Sequence, residues 1–485
     1  MKNMHRSFVL RWLFLCAAAF LVGRGVSLFA QEQIDPDQNI NAASLTEQEY
    51  NRPGGGVVVD ARGLMLRRTV TDFGVLSRTQ LNAEKAAYRL RGDVTESSPM
   101  RCISLNRLEK AFANTIEGDG MLTSEMLYLA GLQRITHVFY FPDSKDIVIA
   151  GPAEAWFPGY EDIMIGVNSL QPVLELRHLV TALRAYTPGG NGGNIVGCSI
   201  DPTEEGIAKL QQFQQQFGAI PRGLQQARLQ QEFVRGVREN IGMQTVRVDG
   251  IPATTHAAQM MVAADYRMKR IALGEDRLAV RGLQSFIDNT ESNTTNALFR
   301  WYFVPDYDSV ILTEDRTGMQ LDGKGIKLVG ENELVAFEGG RVTVSGADLD
   351  RGSRAFTQSF TRLYPEISKQ AMVFAQLRNW IDMLICAAHI QREDFYGQSG
   401  WSMEFFGDEE RYRLETFPAP KEVEPIVAAR TAGTRLLTPT GGVEIDAELA
   451  LEEDRVRADT NNKIAEQQKK ITLDIPEGVW WWDVR

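Results

Sequence analysis

Short apolar runs closed by turn residues alternate along this chain with segments whose apolar residues recur every three or four positions. That mixture confines the fold to sheets packed against helices. Residues 57–70 read as a β-hairpin, followed by helical patterns over 77–91 and 104–115. A short helix near 124–131, strands over 136–141 and 146–150, a helix over 172–186 and a strand over 195–200 come next. Asp201, Pro202, Thr203 and Glu204 then form a helix start, with Asp201 as the cap, Pro202 at the first helical position and Glu204 near the positive end. Gln-rich helices fill 204–241 with a break at 218–223, and a strand over 246–248 precedes a helix capped by Thr254 or Thr255 and running to about Ala272. The chain is β-rich from 298 to 344, and Pro365 opens a long helix to Ile390 that buries Phe374, Leu377, Ile381 and Leu384. The fold class is α+β, with mixed helices and antiparallel hairpins.

Two segments echo each other. Residues 138–143 and 300–306 both end an aromatic strand at Pro-Asp, and an apolar strand follows each, at 147–149 and 310–312. An Asp-Gly turn and a Thr-started helix precede both. The echo predicts a duplicated helix-plus-hairpin module.

The N-terminus bounds where the chain works. Lys2, His5, Arg6 and Arg11 precede an apolar run from Trp12 to Val22 that is too short to span a bilayer, and small residues stand at Ser27 and Ala30. This is the order of a secretory signal peptide cut after Ala30 or Ser27, so a periplasmic or extracellular protein is expected. Removing residues 1–30 takes away four basic and no acidic residues, which moves the net charge from −11 to −15. An acidic chain without a basic block is not built for nucleic acid or anionic lipid. No membrane span is expected once the leader is gone. The remaining chain exceeds one usual core, and composition divides it. A signal peptide (1–30) and a mobile leader (31–52) precede α+β modules at 53–200 and 201–415. A Pro-marked linker and charged segment (416–470) and a strand with a tryptophan tail (471–485) complete it.

Little in the sequence carries chemistry. Cys102, Cys198 and Cys386 allow one disulfide in an oxidising compartment, in any of three pairings, or three separate buried thiols. The glycine-rich run 189–194 leads into a strand rather than a helix N-terminus, so it reads as a plain loop and not a phosphate cradle. His137, His178, His256 and His389 are scattered, with no His-Glu-x-x-His and no Cys-x-x-Cys, so no metal and no cofactor is expected. Cys386 and His389 share a helical face but sit in an apolar helix, which favours burial over a thiolate–imidazole pair. Glu154, after a strand and beside Trp156, is the one nameable candidate for a carboxylate pair of a hydrolase. The pairs Asp306/Asp308 and Asp348/Asp350 fall short of a calcium loop. Two features favour binding instead. Arg267, Lys269 and Arg270 form a basic helix face in an acidic protein. Trp480, Trp481 and Trp482 cannot all face one side of a strand, which makes them a candidate docking anchor.

Several blocks resemble one family. Residues 264–274 (ADYRMKRIALG) look like the central signature of an exported family of planctomycete-type bacteria, and 199–206, 149–156, 301–306 and 377–380 resemble further blocks of it, in order, over about residues 53–415. The family is one of unknown function, so the resemblance implies export and supplies no catalytic residues. The reading is an exported, non-catalytic binding or scaffolding protein with an envelope protein or extracellular polymer as partner. A carboxylate-dependent hydrolase of such a polymer is the alternative.

Overall fold

Strands such as Val138-Phe139-Tyr140 and Ile147-Val148-Ile149 have no polar face, so each requires cover on both sides. The fold supplies both covers. The computed structural model describes residues 56–59, 64–68, 90 and 93–484, the last without 160–162, 191, 193, 218–224, 290–297, 307–309, 331–350, 430–435 and 472. Within it, His137–Phe141 and Asp146–Ala153 pair as an antiparallel hairpin inside a seven-stranded sheet. From edge to edge this sheet runs Arg457–Ala458, Val310–Leu312, Gly318–Leu321, His137–Phe141, Asp146–Ala153, Ser98–Ser104 and Trp481–Asp483. Ile103, Val138, Tyr140, Ile147 and Ile149 face the main core. Their neighbours Cys102, Phe139, Val148 and Ala150 face the other way, onto Ile464, Ile471 and Trp482 from the end of the chain.

The tryptophan run therefore leads into an edge strand, Trp481–Asp483. Trp481 and Trp482 register opposite Ile103 and Cys102, and Trp480 accepts the Ser104 amide at 2.9 Å. Trp480 and Trp482 are buried, on opposite faces of the sheet, and Trp481 is half-buried. Arg101, fully buried, fixes this strand. Its guanidinium takes both Asp483 carboxylate oxygens at 2.8 and 3.0 Å, donates to the carbonyls of Val94, Glu96 and Ala130, and lies 4.6 Å over the Trp481 ring.

A nine-stranded sheet forms the other wall of the core. Its path is Gly56–Val59, Leu64–Arg68, Glu422–Val423, Gln244–Asp249, Ile195–Pro202, Leu436–Asp446, Leu298–Pro305 and Ile326–Gly330, with Ala428–Ala429 joining Leu436–Asp446 at the side. Leu436–Asp446 lies antiparallel to Ile195–Pro202 and parallel to Leu298–Pro305. Gly441 adopts φ +106°, and a Cβ there would meet the Trp301 carbonyl at 2.1 Å, while one on Gly442 would meet the Cys198 carbonyl at 1.8 Å. Only glycine lets three backbones approach this closely. The helices Leu176–Ala185, His256–Ala272 and Met372–Arg392 pack on one another, and the second lies against the sheet. Met372–Arg392 is buried on nearly all sides, as its apolar composition requires.

The α+β class is observed, but several local expectations change. The duplicated module is not present. The 137–153 strands form a hairpin, whereas Leu298–Pro305 and Val310–Leu312 belong to different sheets and do not pair. The helix start at 201–204 shifts by two residues: Pro202 still belongs to a strand, and Thr203 caps Glu204–Phe217 by accepting the Gly206 amide at 3.0 Å. The long helix from Pro365 breaks at Ala371, whose backbone is extended, into Tyr364–Gln370 and Met372–Arg392; no glycine or proline marks the break. Residues 436–446, within the stretch read as linker, form an interior strand of the large sheet. The signal peptide, the mobile leader, nearly all of the 77–91 helix and the strand content of 331–344 lie outside the described residues.

Two substitutions test this packing by urea unfolding. Gly441→Ala should cost more than about 3 kcal/mol, because both the positive φ and the Trp301 backbone oppose a methyl group. Asp483→Ala strands a buried guanidinium. Breaking a fully buried pair costs about 3–5 kcal/mol, and the partial exposure of Asp483 lowers the expected loss to about 2–3 kcal/mol.

Candidate functional site

Two helix N-termini meet beside a cleft. Glu175 stands at the N-cap of Leu176–Ala185 with extended backbone, and its carbonyl accepts the amides of His178 and Leu179. Thr255 caps His256–Ala272: its hydroxyl accepts from the Ala258 amide at 3.3 Å and donates to the Pro252 carbonyl at 2.9 Å. His178 follows Glu175 by one turn, and His256 is the first residue of its helix. Their imidazoles stack, with centroids 4.9 Å apart and planes 18° from parallel, and His178 Nε2 lies 2.7 Å from His256 Nδ1. In such a contact one ring donates an N–H and the other offers a lone pair, an arrangement two neutral tautomers satisfy. Burial holds both well below an ordinary imidazole, at about 3, with the neighbouring Arg177 charge acting the same way.

The surroundings fix the pair. Trp380 meets His178 edge-on at 6.3 Å, and Phe417 meets His256 edge-on at 4.9 Å. Arg177 lies 4.7 Å over Phe417, approaches Glu175 Oε2 at 2.5 Å and reaches Glu415 at 3.7 Å. Ligand atoms of Glu175, His178 and His256 all fall within 4.8 Å of one another, and this is the one group of three metal-capable side chains among the described residues.

Thr254 and Thr255, next to His256, and Thr181, one turn beyond His178, line a cleft of about 560 Å³. Its opposite wall is the segment 409–416, with the turn 250–252 and Arg184 closing the sides. Arg184 pins that wall by donating to the carbonyls of Phe406 and Tyr412, both at 2.6 Å. The Phe417 and Ala419 amides bond back to Thr254 and Ala253 at 2.8 and 2.7 Å. Glu409, Glu410, Arg413 and Glu415 are exposed along it.

The residues singled out from sequence lie elsewhere. Arg267, Lys269 and Arg270 are not a solvent face: all three are buried. Arg267 pairs with Asp276 at 3.0 Å, Arg270 with Glu275 at 3.9 Å, and Lys269 holds Asp265 at 2.7 Å and the Gly441 carbonyl at 3.1 Å. The expectation failed because both faces of this helix are covered, and its charges survive burial by pairing. Burial raises the Asp265 carboxyl to about 6, against the pull of Lys269. Trp480, Trp481 and Trp482 pack into the seven-stranded sheet as described, with two of the three buried, rather than projecting from the molecule. Glu154 is buried, and its oxygens accept from the Asn168 and Ser169 amides at 3.0 and 2.9 Å and from the Gln133 side chain. Although burial opposes it, these donors hold the Glu154 carboxyl below its ordinary range, as suits a loop anchor.

The three cysteines are separate buried thiols. Burial pushes Cys102 up to about 12 and Cys386 well above its ordinary value. His389 makes no hydrogen bond through either ring nitrogen, so it forms no pair with Cys386. Asp306 is paired with Lys327 at 2.9 Å, whereas Asp308, Asp348 and Asp350 lie outside the described residues. The glycine-rich run leads into Ile195–Pro202, as its sequence implies.

Residues 198–286 match the model of a family described as a protein of unknown function (DUF1598). The match contains the 199–206 and 264–274 blocks, the 250–255 turn and His256, but not Glu175 or His178. No curated protein and no solved structure matches the chain. Among the described residues, no helix is long and apolar enough to cross a membrane.

Buried neutral histidines give acid sensitivity. His137 and His389 are lowered by burial to about 4 and about 3, from 6.5. The unfolded chain takes up protons first as pH falls, so stability present above pH 6.5 is lost progressively toward the folded values. His389→Leu should be neutral within about 1 kcal/mol near pH 7.5, since it removes two unsatisfied nitrogens, and should reduce the loss near pH 5. Urea midpoints at both pH values measure this. An undiminished loss at low pH would rule out His389 as a source.

Proposed function

We propose that this is an exported, non-catalytic binding protein of the envelope or extracellular space, and that its binding site is the cleft between Leu176–Ala185, the 250–255 turn and the 409–416 wall. The cleft carries the reading. At about 560 Å³ it has the volume of a small-ligand site. Its rim mixes the exposed charges of Arg413 and Glu410 with Thr hydroxyls and with Ile251 and Leu414, which suits a ligand bearing both charged and apolar groups. The Arg184 and Thr254 contacts hold the wall in place before a ligand arrives, so little ordering entropy opposes binding. Export is supported by the basic start, the short apolar run and the small residues at Ser27 and Ala30.

Two measurements test the reading. N-terminal sequencing of protein from the envelope or medium should begin at Leu28 or Gln31, and an uncut Met1 form confined to the cytoplasm would end the export claim. Protein purified from its own host should yield a small ligand on denaturation, detected by mass spectrometry. Arg413→Glu, at an exposed position, should lose that ligand while keeping the wild-type melting temperature. Equal ligand in both forms would place binding elsewhere.

A further inference from the structure

We infer that Glu175, His178 and His256 form a binding site for one divalent transition-metal ion, zinc by the nature of its donors. Three observations converge. The donor set is two neutral imidazoles and a carboxylate, the combination zinc takes when it keeps a fourth position for water or ligand. Their ligand atoms already lie within 4.8 Å of one another. Each side chain also sits at a helix N-terminus, Glu175 and His178 at one and His256 at the other, the second capped by Thr255, so the site is built on rigid elements.

The geometry needs only a small adjustment. Zinc–nitrogen bonds of about 2.0–2.1 Å at a tetrahedral angle place two nitrogens roughly 3.3 Å apart. The imidazole nitrogens are 2.7 Å apart, so the rings must part by about half an ångström. The proton now shared between them is what the metal replaces: the donor ring moves it to its other ring nitrogen, both rings stay neutral, and each turns a lone pair to the ion. His256 is the least buried of the three, which leaves the pair a path to solvent beside the cleft-lining Thr254 and Thr255.

Charge balance is compatible with a cation. Arg177 lies at Glu175 Oε2, and Glu415 at 3.7 Å offsets the guanidinium. Phe417 and Trp380 wall the rings and limit competing water. The proposal stands apart from the binding reading, because metal binding is measured without any cleft ligand.

The test uses the full mature chain, stripped with chelator and titrated with zinc(II) by calorimetry, then with cobalt(II) by visible absorption. One equivalent of zinc should bind, with a rise in melting temperature, and cobalt should give the d–d bands of a four- or five-coordinate nitrogen and oxygen site. His256→Gln, at a partly exposed first helical position, should lose both signals while melting like the metal-free wild type. Glu175→Gln should weaken zinc binding and alter the cobalt spectrum. Absence of zinc binding in the wild type, or binding that survives His256→Gln unchanged, would overturn the assignment.

Discussion

Charge buried inside the helix His256–Ala272 governs how the larger sheet, the central helices and the cleft fit together. A lysine and two arginines cannot leave water without counter-charges. Asp265, Glu275 and Asp276 supply them from the same helix and the turn that follows it. The Lys269 ammonium goes further and reaches the Gly441 carbonyl in an interior strand of the large sheet. That bond joins residues 172 positions apart. The helix is thereby fixed in rotation and height against the sheet, and its first residue, His256, is delivered to His178.

The ends of the described chain obey a second constraint. Strands apolar on both faces need two covers, and the central helices supply only one. The segment from Ile464 to Trp482 supplies the other, and the Arg101 guanidinium closes it by spending its donors on Asp483 and three carbonyls. A tryptophan run that looks like an outward anchor instead ends in an edge strand, with Trp480 and Trp481 packed on the main core and Trp482 on the second. The cleft avoids both cores. It lies where a turn and a loop are tied by backbone bonds and one arginine, so its exposed charges stay available.

Much of this was legible from local pattern, and the reasons for failure are specific. The pairing of 56–59 with 65–68, the 136–150 hairpin, the helix cap at Thr255 and the strand after the glycine-rich run follow from periodicity and turn chemistry, which act over a few residues. The basic face failed because helical periodicity assigns one buried side, whereas tertiary packing buried both. The Pro-Asp echo failed because similar turns carry no information about which strand pairs with which. The metal-capable group was missed because His178 and His256 are 78 residues apart. The one local hint, Glu175 and His178 at i,i+3 opening a helix, is too common to signal a site.

The sequence alone determined the α+β class, most of the described helix and strand positions and the acidic balance, since composition and short-range periodicity fix these. Tertiary structure decided which charges could be buried, where Trp480–Trp482 went and which histidines met. Those outcomes depend on long-range strand pairing and on desolvation, which exist only once distant segments are packed together.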